Sequence, residues 1–173
     1  MHRIVARHLL LLCLAGTGCT PGNILEAPAE RGRPACPVTT RASPAFVPPS
    51  PFPPEPPAGH EGNFWYGAAA LWTMLDPHGL WASLPRNDAG YVQKVFWWAD
   101  GYSASREPRP DITVTGRRLE GEGGALIASQ GTNASGDFGE AMPVGVIVPT
   151  AGCWEIKGIY HETSLTFVVQ VEP

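Results

Sequence analysis

The distribution of proline divides this chain in two. Twelve of the nineteen prolines lie in residues 20–59, and the densest run reads PAFVPPSPFPPEPPAG. Because proline fixes φ and has no backbone N–H, this segment is excluded from the interior of a sheet and is expected to run as an extended, polyproline-like spacer. The alternative is that it serves as a proline-rich ligand for an aromatic groove.

Two strands with a period of two are predicted at the C-terminal end of the chain. The segments CWEIKGIY and SLTFVVQV flank a turn at residues 161–163, and apolar residues recur at every second position in each. This alternation is typical of strands with one buried face. Cys153 has the opposite parity to Trp154, so a segment bonded to this cysteine would cross the other face or an edge. The alternating apolar positions are Trp154, Ile156 and Tyr160 in the first segment and Leu165, Phe167, Val169 and Val171 in the second.

Weaker patterns predict further strands in DITVTGRRLEG, AMPVGVIVP and YVQKVFWWAD. The segment FWYGAAALWTML fits helical spacing as well as a strand, and its β-rich neighbours favour a strand. A type I turn is predicted at residues 76–79 and an exposed glycine-rich loop at residues 121–140. Short strands separated by turn signals at intervals of roughly ten residues predict an all-β fold, a β-sandwich over residues 60–173.

The N-terminal residues have the pattern of an export signal. A short basic start precedes an apolar run over residues 4–15, which is shorter than the ~20 residues that a transmembrane helix needs. Gly16 and Gly18 predict cleavage after Gly18, so that residues 1–18 form a signal peptide. Cys19 would then begin the mature chain and, as the signal resembles that of a bacterial lipoprotein, would carry the lipid. The alternative is plain secretion with Cys19 free.

Two more cysteines, Cys36 and Cys153, remain in the predicted mature chain. In an oxidising compartment a disulfide between them is plausible, and it would remove unfolded-state entropy by closing a long loop. Two buried, unpaired thiols are the alternative. A metal site has less support because the pair lacks CxxC spacing and a nearby histidine.

A resemblance is carried by five segments in order and spacing. The chain resembles a group of uncharacterised bacterial secreted proteins and lipoproteins over most of residues 36–171. This resemblance implies an antiparallel, immunoglobulin-like β-sandwich and no assigned activity. The segments begin at Cys36 (CPVT), Ala70 (ALWT), Gly116 (GRRLE), Gly152 (GCWE) and Leu165 (LTFVV).

The search for chemistry in the sequence finds no catalytic signature, since HExxH, GxSxG, Walker and EF-hand patterns are all missing. Asp137, Phe138 and Gly139 match a kinase motif in letters only. Arg117 and Arg118 would point to opposite faces of a strand, so they do not form one anion clamp. The best binding candidates are aromatic residues, whose flat rings offer a rigid contact surface. They are Trp65, Tyr66, Trp81, Trp97 and Trp98.

The net charge of the chain and its expected compartment limit the classes of function that we consider. The formal net charge is -4 at pH 7 without a basic stripe, which argues against nucleic-acid binding. We therefore expect a non-catalytic domain at the bacterial cell envelope, held to the membrane through Cys19 or else secreted, that acts in protein interaction or envelope structure. A carbohydrate-binding module using the aromatic residues is the second hypothesis, and a small hydrolase is the third. No cofactor or metal is predicted, and the expected partner is an envelope protein or glycan.

Overall fold

The computed structural model describes residues 35–57, 59–60 and 62–173. The predicted signal peptide and Cys19 lie outside these residues. Within them the chain forms ten β-strands and a short 3-10 turn, Gly136–Phe138, without an α-helix. The strands are β1 Phe64–Ala68, β2 Leu71–Leu75, β3 Leu80–Trp81, β4 Arg86–Asn87, β5 Gly90–Trp98, β6 Ile112–Arg118, β7 Ile127–Ala128, β8 Met142–Val148, β9 Gly152–Tyr160 and β10 Thr163–Val171.

The strands form two sheets, which confirms the predicted all-β class and agrees with a sandwich. Sheet A runs in the order β1-β2-β5-β8-β7, with β4 also paired to β5. Sheet B runs in the order β3-β10-β9-β6. Strand pairing is antiparallel except between β3 and β10, which are parallel. The fold is therefore not purely antiparallel as predicted, because the short β3 lies along the edge of β10 and runs in the same direction.

The predicted strands are confirmed, with changes at their ends. β9 and β10 pair over nine residues each, and the turn between them contains two residues, His161 and Glu162. The ambiguous segment FWYGAAALWTML forms two strands, β1 and β2, that turn back at Ala69 and Ala70. The turn predicted at residues 76–79 is present, with Gly79 N–H donating to Asp76 O at 3.0 Å.

The main core lies between the sheets and is filled from alternate strand positions. Trp97 of β5 is fully buried, and its ring reaches sheet B. There it lies against Gly158 of β9, where a Cβ atom would stand only 2.5 Å from Cη2 and Cζ3 of the indole. Because glycine has no side chain, residue 158 leaves the space that the Trp97 ring occupies. Other fully buried core residues are Met142, Val144, Val146, Val148, Trp154, Ile156, Phe167 and Val169.

The compact unit begins at Ala35, well before the predicted domain start at residue 60. A disulfide joins Cys36 to Cys153 on β9, with their Cα atoms 5.4 Å apart. Thr39 N–H donates to Val168 O on β10 at 2.9 Å, and Val168 N–H donates to Thr39 Oγ1 at 2.8 Å. The middle of the proline-rich segment is therefore attached to the domain, whereas the prediction made residues 19–59 a tether.

The glycine-rich stretch predicted to be an exposed loop is partly ordered along sheet A. It contributes β7, and beyond β7 it continues to pair with β8. Ser129 N–H donates to Gly145 O at 2.8 Å, and Ala134 N–H donates to Ala141 O at 3.0 Å. These bonds cover the edge of β8, and they place the turn Gly136–Phe138 beside the outer face of sheet A.

Candidate functional site

The five aromatic residues predicted to bind a ligand do not share one open face. Successive residues of a strand point to opposite faces of its sheet, and the set contains two adjacent pairs. Tyr66, Trp81 and Trp97 consequently pack in the core between the sheets, whereas Trp65 and Trp98 lie on the outer face of sheet A. The four tryptophans are buried, from 8% exposed at Trp81 to 0% at Trp97. A platform formed by all five is therefore absent.

The outer face of sheet A carries its own aromatic cluster. β1 contributes Trp65, β2 contributes Trp72, and β5 contributes Phe96 and Trp98. The rings of Trp65 and Trp98 meet nearly at right angles, with centroids 4.9 Å apart. Aromatic contacts in this geometry stabilise beyond the area that they bury. A contiguous apolar face of this kind is rarely left exposed to solvent, so we expect another segment or a partner to pack on it.

The cover is the proline-rich segment, and we call its residues 44–57 the strap. Phe52 meets Trp72 edge to face with ring centroids 4.9 Å apart, and Phe46 lies 6.0 Å from the same indole. Pro48 is buried in the same segment, and Trp72 is fully enclosed. This part of the proline-rich segment therefore packs on the protein's own aromatic face instead of running free as a spacer.

Beside the strap, a part of this face opens into a groove of about 230 Å³. The strap forms one wall, the residues around the 3-10 turn form the other, and two of the predicted binding residues, Trp65 and Trp98, belong to the lining. The lining residues are Pro51, Phe52, Pro53, Pro57, Trp65, Trp98, Asp137, Phe138, Gly139 and Glu140.

The polar side-chain groups that line the groove are two indole N–H donors and two carboxylate acceptors. The two indole N–H groups are already used, because Trp65 Nε1 donates to Pro53 O at 3.2 Å and Trp98 Nε1 donates to Phe138 O at 3.1 Å. The remaining polar side chains in the lining are the carboxylates of Asp137 and Glu140. Glu140 Oε2 accepts the Ala104 N–H at 2.5 Å. The side chains of the groove therefore present acceptors and negative charge.

Most of the residues that line this groove were not predicted from the sequence as binding candidates. Phe52 was assigned to a spacer, and Asp137 and Phe138 were set aside as a coincidental match to a kinase motif. Phe138 stacks on Phe96 with ring centroids 4.2 Å apart. The available signal was the apolar character of β5 on both parities, which indicates a strand covered on both faces.

A second group of titratable side chains lies where β9 and β10 turn. Tyr160 Oη donates to Glu107 Oε2 at 2.6 Å, Asp111 N–H donates to Glu107 Oε1 at 2.6 Å, and His161 Nε2 lies 4.0 Å from the same carboxylate. Burial raises the pKa of Glu107, but these two hydrogen bonds and the charge of His161 together lower it by more. The pKa of Glu107 is therefore below its ordinary value. Both carboxylate oxygens of Glu107 already accept hydrogen bonds, so this side chain is suited to holding the loop before β6 in place.

Tyr160 of this group and Tyr102, whose ring meets that of Tyr160 edge to face with centroids 6.1 Å apart, predict a loss of stability at alkaline pH. Burial, followed by the charges of Glu107 and Glu140, raises the pKa of Tyr102 from 10.0 to about 12. Burial and the hydrogen bond to Glu107 raise the pKa of Tyr160 as well. The folded state holds these protons more tightly, so the stabilisation is complete below pH 10.0 and is lost as pH rises towards about 12. Chemical denaturation across this range should show the decline, and Tyr102→Phe should make it shallower; an unchanged slope would contradict the assignment.

The other charged candidates are accounted for by local contacts. Arg117 Nε pairs with Glu155 Oε1 at 2.7 Å on the exposed face of sheet B. Arg118 points the opposite way and packs over Gly123 and Gly152, which confirms that the two arginines do not form one clamp. The described residues contain no group of three potential metal ligands. No helix among them has the length and apolar character to cross a membrane.

Fold and groove together define an all-β protein of two sheets in which a proline-rich strap and an aromatic sheet face enclose a small, acidic groove. Comparison of the chain with protein-family models, with curated proteins and with solved structures finds no match. The groove is therefore the feature from which a function can be argued.

Proposed function

We propose that this chain is an exported, non-catalytic, immunoglobulin-like domain of the bacterial cell envelope that binds a protein partner through the groove. The observation that supports it is the groove itself, in which Phe52, Phe138, Trp65 and Trp98 meet two carboxylates. Aromatic residues are enriched at the centres of protein interfaces, and a rigid aromatic wall loses little entropy on binding. Two packed sheets and a core of alternating residues support the immunoglobulin-like class.

Attachment through Cys19 belongs to the same proposal. The leader pattern of residues 1–18 supports export, and the disulfide between Cys36 and Cys153 suits an oxidising compartment. A lipid on Cys19 would hold the domain at the membrane. Residues 20–34 would then separate this anchor from the compact unit that begins at Ala35.

The experiment is partner capture from an envelope extract with the full chain and with Phe138→Ala. Phe138 is half-buried at the side of the groove, so its removal opens the wall with little effect on the core between the sheets. We expect at least a tenfold loss of the captured protein. Asp137→Asn should weaken capture too, whereas Asp88→Asn, an equal change of charge at an exposed turn away from the groove, should leave it intact.

Two further comparisons test membrane anchoring and partner binding separately. Cys19→Ser should release the protein from the membrane without changing capture, so anchoring and binding are tested independently. Equal capture by wild type and Phe138→Ala would remove the groove from the binding function.

A carbohydrate ligand is the second candidate, because Trp65 and Trp98 both line the groove and sugars pack on such rings. Competition with soluble envelope glycan fragments distinguishes it. Displacement of the captured partner by these fragments would favour the carbohydrate function.

A further inference from the structure

We propose that the groove recognises the guanidinium group of an arginine side chain on the protein partner, an inference that rests on the proposed function and specifies its ligand. The groove combines aromatic rings, carboxylates and a volume suited to one side chain. Each of these properties selects against a different alternative ligand.

The aromatic residues favour a cation that can stack. Phe52 and Phe138, which are half-buried, line one small space with Trp65 and Trp98, which are 5% and 2% exposed, and cations are attracted to the faces of aromatic rings. A guanidinium is planar and weakly hydrated, so it stacks on rings more readily than the compact ammonium of lysine does. The protein already uses this contact elsewhere, since the guanidinium of Arg86 lies 5.0 Å from the ring centroid of Tyr91.

The polar groups of the groove require a ligand that donates hydrogen bonds. Among the described residues of the lining, Asp137 and Glu140 are the charged ones, and none of these residues is a lysine, arginine or histidine. The three lining prolines have no N–H, and both indole N–H groups are bonded to carbonyl oxygens of the protein. A carboxylate or phosphate ligand would therefore meet like charge. A guanidinium supplies five N–H donors and a positive charge to the same acceptors.

The size of the groove favours a single side chain. Its volume of about 230 Å³ lies below the ~300–1,000 Å³ of pockets that enclose drug-sized ligands. An oligosaccharide would need a longer open surface, which the strap covers. An arginine side chain carried by a larger partner fits the space and continues the interface outside it.

The test uses the full chain labelled with ¹⁵N, in which each tryptophan gives one indole N–H signal. The probes are N-acetyl-arginine amide and its neutral isostere N-acetyl-citrulline amide. We expect the arginine probe to shift the signals of Trp65 and Trp98 but not that of Trp97, and the citrulline probe to bind at least threefold more weakly. Asp137→Asn should reduce arginine affinity at least threefold, and Asp88→Asn should not change it.

Two outcomes would overturn the inference. Equal binding of the two probes at Trp65 and Trp98 would show that the groove does not select the cation. Signals that stay unshifted up to the highest concentration of the arginine probe would show that the groove does not bind it. Neither result decides the proposed function, which fails only if Phe138→Ala captures the envelope partner as well as wild type does.

Discussion

Replacing Cys36 and Cys153 together by alanine should lower the free energy of unfolding by about 4 kcal/mol, within the range found for native disulfides that close long loops. The bond spans 117 residues of sequence, so its loss releases most of the compact unit in the unfolded state. Urea denaturation of the oxidised wild type and the double variant measures the difference. We expect the variant to unfold at a much lower midpoint.

Reduction provides the matched control for this effect. Dithiothreitol should lower the midpoint of the wild type to that of the alanine variant and leave the variant unchanged. Trypsin should also cleave after the exposed Arg41 faster in the variant, because Cys36 no longer holds the segment that leads into the strap. Equal midpoints for oxidised wild type and variant would show that the bond contributes no stability.

Gly158→Ala should destabilise the protein by about 1–3 kcal/mol, the usual cost of forcing extra volume into a packed core. The added Cβ would stand 2.5 Å from two ring atoms of Trp97, which is fully buried. Thermal or urea denaturation measures the loss. Combining the change with Trp97→Phe should cost less than the sum of the two single changes, because a smaller ring relieves the clash.

Gly145→Ala is the control for this prediction. Gly145 lies in β8, and a Cβ there would meet the nearest atom, Ser129 Oγ, at an ordinary 3.4 Å. The same chemical change should therefore have little effect on stability, and it reduces the entropy of the unfolded chain equally. If Gly158→Ala were as stable as Gly145→Ala, the close contact between Trp97 and Gly158 would not be real.

Local patterns predicted the strands well, because alternation is imposed residue by residue. The hairpin of β9 and β10 follows from one buried face on each strand, and the pairing of Cys36 with Cys153 was predicted by counting the cysteines that would remain after the expected signal peptide and lipid attachment. YVQKVFWWAD was predicted as a strand without a core face. The structure explains why: the core between the sheets covers one side of β5, while Phe138 and other groups cover Phe96 and Trp98 on the other side.

The groove could not be predicted in the same way, because it depends on contacts between distant segments. Phe52 meets Trp72 only after the strap folds back on sheet A, and proline-rich sequence carries no period that announces such a return. Phe138 reaches Phe96 through the pairing of β8 with β5, a register that local composition does not determine. Two of the five predicted binding residues, Trp65 and Trp98, line the groove, whereas the residues opposite them were not among the candidates.

The disulfide also determines how the protein bears tension. A pull between the chain ends would pass from Cys36 directly to Cys153, and then along β9 and β10 to the C-terminus. Everything between the two cysteines, including sheet A, the strap and the groove, lies outside this covalent path. A chain pulled from its two ends could therefore be stretched until β9 and β10 separate, while the groove carried little of the force.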